Sequence, residues 1–326
     1  MSNKTSNEQV CRVCSNSTEN TLYTFKDFHL GNNITYNYFQ CSKCGCLQKS
    51  ELFEEHVQYY PENYYSYAKD DRTTLLSKIK WGIRDVRNAY YRNGSGLPGK
   101  LIHAILPCMS IAMIEKCKPQ KTSKILDIGC GSDALMLQYL SQQGYNNLFG
   151  VDPFIQKDIQ ISNASILKKS VLEIDDQFDL ITLNHSFEHM PNPHEILKHL
   201  KKILSKNGRI LLRIPVVDSF AWEHYRQYWP NLDAPRHLFL YSTKSIELLV
   251  KEFNLNIENK WYDSTAFQFW GTELYKKGYA LHQKTLLFPL LKVLYRIYYS
   301  ISKLSTIERL NENGKGDTVA FLLRNA

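Results

Sequence analysis

Lys124-Ile125-Leu126-Asp127-Ile128-Gly129-Cys130-Gly131-Ser132-Asp133 is a short apolar run that breaks at two glycines, and residues 134–143 after it carry apolar side chains at helical spacing. Strand, glycine turn and helix in that order form an informative unit. Gly129 and Gly131 let the backbone turn sharply and approach a ligand with no Cβ in the way, while the following helix presents free N–H groups to a negative end. Residues 147–152 read as a second strand ending in Asp152, 25 residues after Asp127, where a carboxylate can accept both hydroxyls of a ribose. A nucleoside-bearing ligand fits this pair.

The alternation continues outward. Residues 165–168 form a weak strand, 178–184 a strong one, 194–204 a helix and 208–215 a strand. Residues 242–253 read as a helix capped by Ser242 or Thr243, residues 255–262 as a strand, and residues 317–324 as the last strand. Strands alternating with helices imply a parallel sheet, so the fold class is α/β, Rossmann-like and doubly wound. The stretch 263–314 is longer than a hairpin needs and reads as a helical insertion. Upstream, residues 70–118 show helical spacing broken by Asn93-Gly94-Ser95-Gly96-Leu97-Pro98, which predicts two helical segments around a loop. The expected organisation is a cysteine module over 1–60, a helical cap or linker over 61–118, and the α/β domain over 119–326.

Cys11-x-x-Cys14 and Cys41-x-x-Cys44-Gly45 are spaced as metal ligands rather than as disulfide partners. Four thiolates select zinc, with iron in a rubredoxin-like site as the competitor, and a site with four filled positions is structural. Cys46 reads as a bystander, and Cys108, Cys117 and Cys130 as small apolar packing residues.

At this point the chain resembles a family. Leu126-Asp127-Ile128-Gly129-Cys130-Gly131 with Gly150-Val151-Asp152-Pro153 resembles the first two motifs of class I S-adenosylmethionine-dependent methyltransferases. Phe178-Asp179-Leu180-Ile181 with Glu188-His189 resembles that family's fourth-strand region, and Asn207-Gly208-Arg209-Ile210 its turn before the fifth strand. The resemblance covers residues 120–262 and implies a seven-stranded sheet. It also implies that Asp127, Gly129 and Gly131 surround the methionine part of S-adenosylmethionine, Asp152 its ribose, and Asn184 the rim beside the sulfonium. The family's third glycine is Asp133 here. The order of zinc module, methyltransferase domain and Pro-Arg-His loop resembles bacterial methyltransferases of sugar and surface-polysaccharide biosynthesis, which implies O-methylation of a glycan intermediate, nucleotide- or lipid-linked. Sugar C-methyltransferases resemble the cysteine part closely but carry a second Rossmann-like domain. A nicotinamide oxidoreductase would use Gly129-x-Gly131-x-x-Ala134, and a non-catalytic binding scaffold would show a damaged glycine turn, which is absent.

Methyl transfer is an in-line displacement that needs alignment and, for a hydroxyl acceptor, a base. His185, His189 and His237 all fall in segments expected to follow strand carboxyl ends. His237 stands in a long loop with Trp222, Tyr225, Tyr228, Trp229 and Arg236, whose rings and guanidinium suit a sugar or a phosphate. Tyr59-Tyr60-Pro61-Glu62-Asn63-Tyr64-Tyr65 is a further candidate cap for cofactor or acceptor. With 43% hydrophobic and 22% charged residues the chain is globular rather than disordered, and its charge of +8 suits an anionic partner more than nucleic acid. The polar first ten residues lack a signal peptide's apolar run, which places the chain in the cytoplasm. Residues 289–304 read as an amphipathic helix with Leu290, Leu294, Ile297, Ile301 and Leu304 on one face. That face is expected to pack on the protein, in a homodimer, or at the inner face of a membrane as a peripheral contact.

Overall fold

The computed structural model describes residues 9–31, 34–52, 74–281 and 287–326. An eight-stranded sheet is built from β4 (Ile125–Ile128), β5 (Leu148–Val151), β6 (Ile159–Ile161), β7 (Ala164–Leu167), β8 (Phe178–Asn184), β9 (Leu204–Pro215), β11 (Leu255–Tyr262) and β12 (Thr318–Asn325), in the order β11-β12-β9-β8-β4-β5-β7-β6. The five inner strands from β9 to β7 run parallel, with β12 inserted antiparallel between β9 and β11. All four β4 residues are buried, as a central strand covered on both faces requires. The chain winds from β4 out to β7 and then returns to β8 on the other side of β4. A crevice therefore opens at the carboxyl ends of β4 and β8, where doubly wound sheets bind ligands.

Helices α4 (Leu135–Gln142), α5 (Pro193–Ile203), α6 (Phe220–Tyr225) and α7 (Thr243–Glu252) connect the strands, and Ser242 caps α7 as expected. The left-handed residue that opens α4 is Ala134, at φ 41° with no side-chain cap, and Asp133 before it needs no positive φ. The sheet departs from seven strands by β6, a three-residue antiparallel edge on β7. Strand β9 starts at Leu204 rather than at residue 208, through an irregular register opposite β8. The upstream helical stretch holds three helices rather than two: α1 (Leu75–Asn93), α2 (Leu97–Ile105) and α3 (Met109–Cys117), because Pro107 prevents α2 from continuing. The insertion carries α8 (Phe267–Lys276), α9 (Phe288–Ser302) and α10 (Leu304–Glu312). Among the described residues no helix is long and apolar enough to cross a membrane.

The cysteine segment is stitched to the main sheet's far connection. Strands β1 (Thr21–Lys26), β2 (Thr35–Gln40) and β3 (Leu47–Lys49) form a second sheet whose fourth strand is β10 (Phe239–Leu240), just past the Pro-Arg-His loop. Cys11, Cys41 and Cys44 share one apolar core with Phe239, Tyr241, Ile246 and Leu197. Arg236 crosses this seam fully buried, its guanidinium donating to Asp27 at 3.0 and 3.1 Å and to Asp233 at 2.6 and 3.1 Å. Burial pushes the Asp233 carboxyl up, but Arg236, His29 and His237 outweigh it and hold it well below the usual carboxylate range. The residues taken as a sugar or phosphate platform are thus structural. The Arg236 guanidinium is buried and engaged by two carboxylates, and the buried Trp229 donates its Nε1–H to Asp317 at 2.8 Å.

Removing one carboxylate from a buried guanidinium leaves charge uncompensated in the interior. Asp27→Ala should therefore lower unfolding free energy by about 3 kcal/mol in urea denaturation. A loss under about 1 kcal/mol would show that the seam carries no such pair.

Candidate functional site

Two cavities meet at the carboxyl edge of the sheet. The first, about 320 Å³, is lined by Gly129, Asp152, Phe154, Ser170, His185, Ser186 and His189 among others. Gly129 lies at φ 74°, and a Cβ there would stand 2.6 Å from the Cβ of Ser186, so the turn closes against the segment after β8 only with glycine. Gly131 N–H donates to Asp152 Oδ2 at 3.0 Å and Phe154 N–H to its Oδ1 at 2.9 Å, which fixes the carboxylate at the wall of this cavity. Burial raises the Asp152 carboxyl, and these two N–H groups oppose the shift. Gly150 answers a packing demand, since a Cβ there would stand 2.7 Å from Cys130 Sγ and 2.9 Å from Leu137 Cδ1.

Asp127 is buried beneath the turn, accepts from Thr182 Oγ1 at 2.6 Å, and lines neither cavity. Burial pushes its carboxyl up to about 7 against the hydrogen bonds of Thr182 and Asn184. Asn184 lines the second cavity with Ser110, His185, Arg213, Thr265 and Trp270. Arg213 is committed to Asp263 at 2.5 Å. Among the described residues His185 alone lines both cavities. Its backbone is left-handed at φ 50°, and its Nδ1 sits 3.2 Å from Oε1 of the buried Glu188.

His189 and His237 meet edge to face at 4.7 Å between ring centres, with their Nδ1 atoms on the carbonyls of Arg236 (2.9 Å) and Asn231 (2.8 Å). His189 lines the first cavity, whereas His237 lines neither and is only 6% exposed. Burial, with His189 nearby, lowers His237 to about 4, while burial alone would raise Glu188 and the three surrounding histidines instead hold it down to about 2. Sequence reasoning named Glu188 only as part of a motif and did not single out Ser186, Ser170 or Arg213. Their signal was position, since Glu188, Ser186 and Ser170 follow strand carboxyl ends directly. Residues 59–65 lie outside the described residues.

At the other end, the sulfurs of Cys11, Cys14, Cys41 and Cys44 all lie within 4.8 Å of one another, with Cys11 to Cys44 at 3.6 Å and Cys14 to Cys41 at 3.5 Å. A tetrahedral zinc with sulfur at ~2.3 Å needs sulfurs ~3.8 Å apart, so the four thiols fit one ion. Gln48 Nε2–H donates to Cys11 Sγ at 3.1 Å, as a thiolate's surroundings should.

Residues 100–260 match the model of a family described as a methyltransferase domain. Among curated proteins, the chain is similar to (S)-coclaurine N-methyltransferase of Thalictrum flavum subsp. glaucum, 28% identical over 154 residues that cover 41% of this chain and 42% of that one. It is similar also to a ubiquinone biosynthesis O-methyltransferase of Glaesserella parasuis serovar 5 (strain SH0165), 26% identical over 136 residues, 35% of this chain and 54% of the relative. The chain spans about half the length of these curated relatives. Among solved structures, coclaurine N-methyltransferase bound to N-methylheliamine and SAH gives a TM-score of 0.41 at 15% identity, covering 83% of this chain and 97% of that one. Mycolic acid cyclopropane synthase CmaA1 complexed with SAH and CTAB gives 0.43 at 15% identity, covering 67% and 86%. The stretch that matches the methyltransferase-domain model holds Gly129, Gly131, Asp152 and His185.

Asp152→Ala removes both the carboxylate at the cavity wall and the acceptor of Gly131 N–H. It should weaken S-adenosylmethionine binding by about 1–3 kcal/mol in calorimetry. An unchanged dissociation constant would put the cofactor elsewhere.

Proposed function

We propose that this chain transfers a methyl group from S-adenosylmethionine to a hydroxyl of a sugar or glycan intermediate, with His185 as the base. The observation that carries the reading is that His185 lines both cavities, the one with the glycine turn and the one with Asn184. When bound, S-adenosylmethionine supplies an activated methyl on a sulfonium sulfur. Asp152 and Gly129 hold the cofactor's cavity open, and Glu188 orients His185 through Nδ1, which leaves the imidazole to take the acceptor's proton. His237 is the poorer base, since burial disfavours its protonated form and it reaches neither cavity. For the acceptor, the second cavity mixes Ser110, Thr265 and Asn184 with the Trp270 ring, a lining suited to hydroxyls on an apolar sugar face. The resemblance to sugar and surface-polysaccharide methyltransferases, and the O-methyltransferase name of one relative, support the same choice.

His185→Ala should lower turnover ~10²–10⁴-fold while leaving cofactor affinity near its starting value. A smaller loss than that of His237→Ala would move the base.

The four-cysteine site is proposed to hold one structural zinc. Cys41→Ser should release it, measured as metal per chain by elemental analysis, and should loosen β1 to β3, because so small a sheet has little core of its own. Full zinc retention in this variant would refute the ligand set.

A lipid-linked carrier is the proposed source of the acceptor. Leu75 and Ile79 on α1, Leu97 and Leu101 on α2, and Leu290, Leu294 and Ile301 on α9 are 54–74% exposed. These three helices hold eight lysines and arginines against one acid, Asp85, which suits an anionic membrane surface. The chain should co-sediment with vesicles containing phosphatidylglycerol and not with phosphatidylcholine alone, and Leu290→Asp with Ile301→Asp should abolish this. Equal failure with both vesicles, together with a dimer by light scattering, would assign the face to a second copy.

A further inference from the structure

We infer that Glu188, His189 and His237 hold a divalent transition-metal ion behind the wall of the first cavity, a site separate from the four cysteines. One ligand atom from each of the three lies within 4.8 Å of the others. The carboxylate comes from the short turn after β8, which also supplies His189, and His237 comes from the loop pinned by Arg236. Three features of the group are unexplained by packing alone.

The first is tautomer. The carbonyls of Arg236 and Asn231 can only accept, so the Nδ1 atoms they face carry the N–H, and in the neutral ring Nε2 carries the lone pair. An imidazole anchored by Nδ1–H to a carbonyl is the usual arrangement of a metal-bound histidine. The second is an unmatched carboxylate. Glu188 is completely buried, its Oε1 meets His185, and its Oε2 has no hydrogen-bond partner. His237 Nε2 stands 3.8 Å from Glu188 Oε1, so two acceptors face each other in the interior, too far apart for a hydrogen bond and costly to leave so. An ion held between the Glu188 carboxylate, through its unpartnered Oε2, and His237 Nε2 removes that cost. The third is charge: the surrounding network sets one guanidinium, Arg236, against three carboxylates, Asp27, Asp233 and Glu188, with Asp233 Oδ2 4.0 Å from His237 Nε2.

Two imidazoles and one carboxylate suit zinc, iron(II), cobalt(II) or manganese(II) rather than calcium. Glu188 Oε1 remains with His185 in this arrangement, so the base keeps its orienting partner. The role of the ion rests on the methyl-transfer reading: bound to Glu188 and His237, it would fix the turn after β8 that carries His185 and its orienting carboxylate. Occupancy of the site does not depend on that reading.

The test uses the full chain with its cysteine site filled by zinc, titrated with cobalt(II) and followed by visible absorption and metal content. One further equivalent should bind, with ligand-field bands and no thiolate-to-metal charge transfer. Glu188→Gln and His237→Ala should each weaken it about tenfold or more, while S-adenosylmethionine binding, read by calorimetry, persists as the check on folding. Should either unfold, His189→Gln, on a partly exposed residue, serves in its place. No cobalt beyond the cysteine site, or equal binding by the folded variants, overturns the inference. Loss of S-adenosylmethionine binding in the wild-type chain would instead overturn the methyl-transfer reading and leave the metal result standing.

Discussion

The fully buried guanidinium of Arg236 is the constraint on which much else in the molecule depends. An isolated charge in the interior is prohibitively costly, so Arg236 fixes Asp27 from the N-terminal sheet and Asp233 from its own loop around it. Once that loop is held, its backbone braces the site. The Arg236 carbonyl takes His189 Nδ1–H, and Leu238 N–H donates to the Glu188 carbonyl at 2.9 Å. In turn Lys49 N–H donates to the Leu238 carbonyl, and Ser242 Oγ–H bonds the Cys44 carbonyl. The cysteine segment thus braces this loop and the turn after β8 from behind.

The glycine turn sets the opposite wall. Gly129 packs against Ser186 with no room for a side chain, so the β4 turn and the β8 turn are held at one spacing. Asp152 is tied to the same turn by Gly131 N–H. The first cavity is consequently formed by three strand ends that lock one another, the preorganisation that alignment-dependent chemistry would need.

What was legible in the sequence follows from how local its causes are. Residues 178–184 and 255–262 coincide with β8 and β11 because apolar patterning over a few residues decides a strand. The Ser242 cap and the two cysteine pairs are local in the same way. The three-residue β6 and the early start of β9 escaped because they depend on strand pairing, not on their own composition. Arg236 and Trp229 illustrate the deeper limit. Their residue types suit sugar and phosphate binding, and only the tertiary placement of Asp27 and Asp317, 209 and 88 residues away, turns them into core. Glu188 was legible as a motif letter, yet its unmatched oxygen is a property of packing that no spacing rule reports.

The position of His185 joins these strands of argument. A histidine at φ 50° sits where non-glycine residues are uncommon, and such a conformation persists only when its surroundings over-determine it. Here they do. The His185 N–H donates to the Arg213 carbonyl at 2.9 Å, Arg213 is paired with Asp263, and the imidazole is paired with Glu188. Relaxing the backbone to an ordinary conformation would break these contacts and withdraw the ring from the boundary of the two cavities. A left-handed backbone thus falls on the residue that lines both cavities, and the carbonyl of the ion-paired Arg213 together with the buried Glu188 keeps it there.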